Sequence, residues 1–167
     1  MIRPSNSHLN RWAIWLVQYG PAIALLFYFL GGILPILASV PFLQPCAEPV
    51  FGLYSNLCHQ MPARSFHLDT NQMGFCARCT GLYGSLALVS LFVAVSGRTK
   101  PISWLWLLGL CIPIAIDVPL DIADRFAAAN LLRLMTGLLA GTAISLFLYP
   151  RVVAAARYSL ARRHDAL

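Results

Sequence analysis

Long apolar runs separated by short polar connections organise this chain. Runs near the roughly 20 residues that a membrane helix needs cover 19–40, 79–97, 102–120 and 131–150, the third interrupted by Pro113. A segment in hydrocarbon must satisfy its own backbone N–H and C=O groups, so each run is expected to be helical. The pattern predicts an all-α membrane protein, one integral domain over 1–167. Its four transmembrane helices leave a short helical or loop segment with most of the cysteines, 41–78, between the first two.

Composition agrees. The chain is 59% hydrophobic and 11% charged, whereas soluble domains carry about 25% charged residues. The net charge of +6 raises the question of nucleic acid. Its basic residues sit at the edges of apolar runs and at the C-terminus, as membrane orientation requires and a phosphate-binding face does not. The lipid bilayer is therefore the expected partner, and nucleic acid is not. The first run exceeds the roughly 7–15-residue core of a signal peptide and no small-x-small site follows it, so it reads as a retained span.

Charge also sets an expected orientation. Of the 12 Lys and Arg, eight fall on one side: Arg3, Arg11, Arg98, Lys100, Arg151, Arg157, Arg162 and Arg163. The other four, Arg64, Arg78, Arg125 and Arg133, fall opposite, together with Glu48, Asp69, Asp117, Asp121 and Asp124. The positive-inside rule then places both termini in the cytoplasm and the cysteine segment outside, in the inner membrane of a bacterium. Trp12, Trp15, Trp104 and Trp106 fall near the cytoplasmic boundaries as interfacial anchors.

The segment Cys58-His59-Gln60-Met61-Pro62-Ala63-Arg64-Ser65-Phe66, followed by Cys76-Ala77-Arg78-Cys79-Thr80-Gly81, concentrates the chemistry. Cys76 and Cys79 form C-x-x-C at the start of a helix, where the helix dipole stabilises a thiolate. A Zn2+ ion is one occupant, with Cys58, Cys76 and Cys79 as ligands and His59 as the fourth, ahead of His67. Two disulfides, in any of three pairings with Cys76–Cys79 and Cys46–Cys58 first, are another use of the same atoms in an oxidising compartment. A third reading is packing: Val50, Phe51, Tyr54, Leu57 and Cys58 share one face of a short helix ending near Pro62. Cys111 reads as a core residue. Thr80 stands where a c-type haem motif needs histidine.

Arg64 and Arg78 flank these cysteines and suit an anionic headgroup, a thiolate or Asp69, or else lie solvated at the interface. Asp117 and Asp121 share a helix face if Pro119 does not break it. An Asp117–Arg133 pair would neutralise both groups, although Asp121, Asp124 and Arg125 read more simply as a wet turn. Gly137 and Gly141, with Gly81 and Ser85 at the same spacing, allow close helix approach. They are expected to pack the second and fourth spans, or to support a homo-oligomer.

At these residues the chain resembles a family of uncharacterised prokaryotic multi-pass membrane proteins, catalogued as a domain of unknown function. The resemblance rests on Cys58-His59-Gln60, Pro62, Arg64-Ser65-Phe66, Cys76, Arg78-Cys79-Thr80-Gly81 and Tyr83, then Asn130, Arg133 and Thr136-Gly137. Such proteins are expected to carry Asp-Gly and a nearby Gln in the third span, where this chain has Asp117-Val118-Pro119. The resemblance implies a fold and a motif but no activity. Three functional classes follow from the sequence: a zinc-like metal site, a thiol–disulfide exchange enzyme using Cys76 and Cys79, and a scaffold or assembly subunit.

The charge count makes one direct prediction. Reporter fusions at Leu167 and after Lys100 should read cytoplasmic, and a fusion near Asp69 should read outside. The reverse pattern would overturn the orientation.

Overall fold

The computed structural model describes residues 7–98, 100–123 and 129–165. The chain runs through α1 (Ser7–Ile33), a 3-10 turn (Leu34–Leu37), α2 (Gln44–Tyr54), a second 3-10 turn (Pro62–Arg64), β1 (Ser65–Leu68) and β2 (Asn71–Cys76). It continues through α3 (Ala77–Ser96), α4 (Trp104–Ile122) and α5 (Asn130–Asp165). Four of the described helical segments are long and apolar enough to cross a membrane: Arg11–Leu37, Ala77–Ser96, Trp104–Ile122 and Asn130–Leu160.

Small residues set the packing. The buried face of α3 repeats Ala77, Gly81, Gly84, Ser85, Ala87 and Ser90 at helical spacing. It meets Gly137 and Gly141 of α5. A Cβ on Gly137 would stand 2.2 Å from the Arg78 carbonyl oxygen, and one on Gly81 2.2 Å from that of Leu134. The backbones are therefore in contact, the arrangement that lets dispersion hold helices together where lipid offers no hydrophobic drive. Ser90 Oγ donates to Ser145 Oγ at 3.3 Å across the same seam. On either side of this pair, α1 lies against α3 and α4 against α5. The glycine expectation thus resolves within one chain. Gly137 and Gly141 both meet α3 of the same chain.

The fourth span outruns its expected end because Pro150 does not stop it. A proline at this position leaves the carbonyl of residue 146 without its helical donor. Ile102 N–H, in the connection before α4, donates to Leu146 O at 3.3 Å. The gap in one helix is filled by the approach to the next. Pro113 and Pro119 likewise lie inside an unbroken α4.

Between α2 and α3 the structure adds what the sequence pattern did not show, an antiparallel hairpin. Its register is Ser65↔Cys76, His67↔Gln72 and Leu68↔Asn71, with an irregularity between Ser65 and His67. Asp69 turns it at a φ of 53°. β2 buries Met73, Gly74 and Phe75 consecutively. A Cβ on Gly74 would lie 2.9 Å from Gly32 O, so the strand is pressed directly on the end of α1.

Replacing Gly137 or Gly81 by Leu should lower the thermal unfolding midpoint in detergent sharply, whereas Gly97→Ala, with open space around its Cβ, should cost only the roughly 1–2 kcal/mol of a left-handed non-glycine residue. Equal losses at all three positions would contradict the close-packed seam.

Candidate metal centre

Three separate elements deliver the sulfurs. Cys58 follows α2 by one turn, its N–H donating to Tyr54 O at 3.0 Å. Cys76 ends β2 and is the N-cap of α3, and Cys79 lies in that helix's first turn. The three Sγ atoms all lie within 4.8 Å of one another. Cys58 is 4% exposed, and its sulfur accepts the Cys76 backbone N–H at 3.2 Å. Hydrogen bonds from the Cys76 and Cys79 thiols, reinforced by that N–H, hold the Cys58 thiol well below the usual range despite its burial. Donating to Cys58 pushes the Cys76 thiol up.

The Cys-His-Gln motif explains how Cys58 is aimed. Gln60 takes a positive φ of 48°, a conformation uncommon for a residue with a side chain. Its amide holds the turn, with Nε2 donating to Phe51 O at 2.8 Å and Gly74 O at 3.0 Å. Gln72 Nε2 returns a bond to Gln60 O at 2.6 Å and reaches Ser65 Oγ at 3.1 Å. Cys58 is thereby buried while His59, one residue on, is exposed. His59 is not part of the three-sulfur group, and exposed His67 is not either. Among the described residues no His, Asp or Glu joins it. All five cysteines are unbridged, and Cys46 is exposed.

Aromatic rings pack against the site. Phe75, fully buried, meets Tyr54, Tyr83 and Tyr28 at centroid distances of 4.8, 5.0 and 5.7 Å. Gly31 and Gly32 of α1 make room for them. A Cβ on Gly32 would overlap the Phe75 ring, and one on Gly31 the Tyr54 hydroxyl. Tyr54 Oη donates to Tyr28 O at 2.6 Å. Cys58, Cys76, Cys79, Met73 and Phe66 pack in the same cluster.

The first turn of α3 presents a second set of groups elsewhere. Arg78 donates through Nε and Nη2 to Asp117 Oδ2 at 2.8 and 2.6 Å, and Nη2 lies 3.4 Å from Asp121 Oδ2. Asp121, 3% exposed, also takes Arg64 Nη1 at 3.0 Å and Arg133 Nη2 at 2.8 Å. Thr136 Oγ1 donates to Asp117 Oδ2 at 3.1 Å. This corrects three expectations. Asp117 pairs with Arg78 rather than Arg133. Asp121 is the buried centre of an ionic layer rather than part of a wet turn, because the unbroken α4 points it at three guanidiniums. Arg64 and Arg78 engage these carboxylates, not the thiolates or Asp69. Asp124 and Arg125 lie outside the described residues. Asp121 and Gln60 are the residues that sequence reasoning undervalued. The spacing of Asp117 and Asp121, four apart and on the same side as Arg64, Arg78 and Arg133, was the available signal for Asp121.

Comparison with known proteins places the chain. Residues 58–147 match the family described as "Predicted membrane protein (DUF2085)". The chain belongs to that family. The matched region begins at Cys58 and takes in the three-sulfur group and the whole ionic layer. An uncharacterized protein of Methanocaldococcus jannaschii is 32% identical over 105 residues, covering 60% of this chain and 67% of that protein. No solved structure matches.

Removing one partner of a buried ionic group leaves the others uncompensated, at a cost of about 3–5 kcal/mol. Asp121→Ala should therefore unfold the detergent-solubilised protein at much lower temperature than Asp69→Ala, at an exposed turn. Similar midpoints for the two variants would remove the ionic layer from the account.

Proposed function

We propose that Cys58, Cys76 and Cys79 bind a single thiophilic ion, with Zn2+ the best match, at the extracytoplasmic face of a prokaryotic cytoplasmic-membrane protein whose termini are both cytoplasmic. The observation that carries this is the third sulfur. A C-x-x-C pair needs no partner for exchange, yet buried Cys58 is held against it by a backbone N–H. An all-sulfur donor set selects soft and borderline ions. Zn–S bonds of about 2.3 Å place tetrahedral sulfurs about 3.8 Å apart, so binding needs each pair to close by at most about 1 Å from the present separations. The Cys76 N–H donated to the Cys58 sulfur favours the thiolate form of Cys58 that coordination requires.

His59, expected as the fourth ligand, is exposed and outside the group. Among the described residues three ligands then remain with an open position, the arrangement of sites where water or a substrate completes the shell. The exchange reading retains one point in its favour, the placement of Cys76 and Cys79 in the first turn of a helix. It leaves Cys58 only a packing role, as does a pure scaffold.

Purified protein should carry one ion per chain. Cys58→Ser, Cys76→Ser and Cys79→Ser should each lose most of it, and His59→Ala should keep it. Metal should shield the three thiols from alkylation together, and a chelator should expose them together. Coordination needs deprotonated thiols and the Cys76 thiol is pushed up, so affinity should rise with pH and fall on acidification. Metal content unchanged by Cys58→Ser, or free alkylation of all three thiols without chelator or reductant, would defeat the proposal.

A further inference from the structure

The opposite end of the bundle holds a cleft that the sulfur site does not use. α1, α3 and α5 enclose about 230 Å³ there, with walls formed by Val93, Ala94, Pro150 and Val153. Arg98 and Arg157 are its charged lining residues.

Arg157 is held in place. Gln18 Nε2 donates to Ala94 O at 2.7 Å, which fixes the amide, and its Oε1 accepts from Arg157 Nη2. Tyr149 Oη donates to Gln18 O, tying α5 to the same turn of α1. Arg157 Nε is nevertheless buried without a hydrogen-bond partner. A buried donor left unpaired is costly, and a charged one more so.

The cleft also lies toward one end of the spans. α3 ends at Ser96, and Gly97 closes it with a left-handed φ of 65°. Trp12, Trp104 and Trp106 are exposed at the same end of the bundle, as interfacial anchors are. The carboxylates with described side chains, Glu48, Asp69, Asp117 and Asp121, all belong to the sulfur end. Arg98, whose Nε donates to Lys100 O at 3.3 Å, and Arg157 thus line the cleft with no described carboxylate at this end.

We infer that this cleft binds one anionic phospholipid. The phosphate sits on Arg157 and Arg98, and the first methylenes of an acyl chain lie along Val93, Ala94 and Val153. A free anion would satisfy the arginines and leave the apolar walls empty. A neutral lipid would fill the walls and bring its own cation to the arginines.

The test uses the full chain, delipidated in neutral detergent and titrated separately with phosphatidylglycerol, phosphatidylcholine and inorganic phosphate. Native mass spectrometry counts retained lipid, and thermal unfolding follows stabilisation. Phosphatidylglycerol should be retained at one per chain and raise the unfolding temperature. Arg157→Gln should weaken that retention about fivefold, the effect of one basic residue at an anionic surface. Ala154→Leu, on an exposed lining position, should also weaken it without changing charge. Arg162→Gln, whose guanidinium stacks on Tyr158 away from the cleft, should not. Unfolding without lipid shows whether each variant is folded. Equal retention of both lipids, equal effects of Arg157→Gln and Arg162→Gln, or the same stabilisation by phosphate alone would each overturn the inference.

Discussion

The close approach of α3 to α5 is the constraint on which the rest of the structure depends. In a bilayer there is little hydrophobic force between helices, so contact must come from shape. Gly81, Gly137 and Gly141 let the two backbones touch. That contact fixes the position of the first turn of α3, where Arg78 and Cys79 differ by one residue. A helix turns about 100° between neighbours, so the two side chains leave in different directions. Arg78 meets Asp117 and Asp121 of α4, and Cys79 meets Cys58 and Cys76. One seam of small residues thus registers both the ionic layer and the sulfur site.

The two polar assemblies use burial differently. The ionic layer joins α3, α4, α5 and the turn before the hairpin through Arg78, Asp121, Arg133 and Arg64. Asn130 Nδ2 adds a bond to Ser65 O at 3.2 Å, linking the start of α5 to β1. Buried ion pairs add little net stability, but a broken one is expensive, so they select one arrangement over its rivals. The sulfur site is framed by Gln60, Gln72 and the aromatic wall. Each residue in that frame constrains a donor atom rather than supplying one, which is how a metal site gains its geometry.

Much of this was legible in the sequence. Apolar run lengths located the spans, and the C-x-x-C spacing placed Cys76 and Cys79 at a helix start. The small-residue spacing identified the packing faces of the second and fourth spans. The rest depended on contacts that no local pattern encodes. The hairpin has strands of four and six residues with a glycine inside one, too short and too interrupted to give a clear period. Pro150 reads as a stop unless Ile102 is known to fill its missing bond. His59 is adjacent to a buried cysteine yet exposed, because the positive φ of Gln60 reverses the chain beside it. Asp121 looked like a surface residue because its three arginines come from distant segments.

The central claim is that three thiolates of one chain share one ion. X-ray absorption at the metal edge of the purified, zinc-loaded protein tests it most directly. The account predicts three sulfur neighbours at about 2.3 Å and one lighter atom at about 2.0–2.1 Å, with the sulfur count falling in Cys58→Ser. A shell of nitrogen and oxygen alone, or one with two sulfurs that Cys58→Ser leaves unchanged, would contradict it.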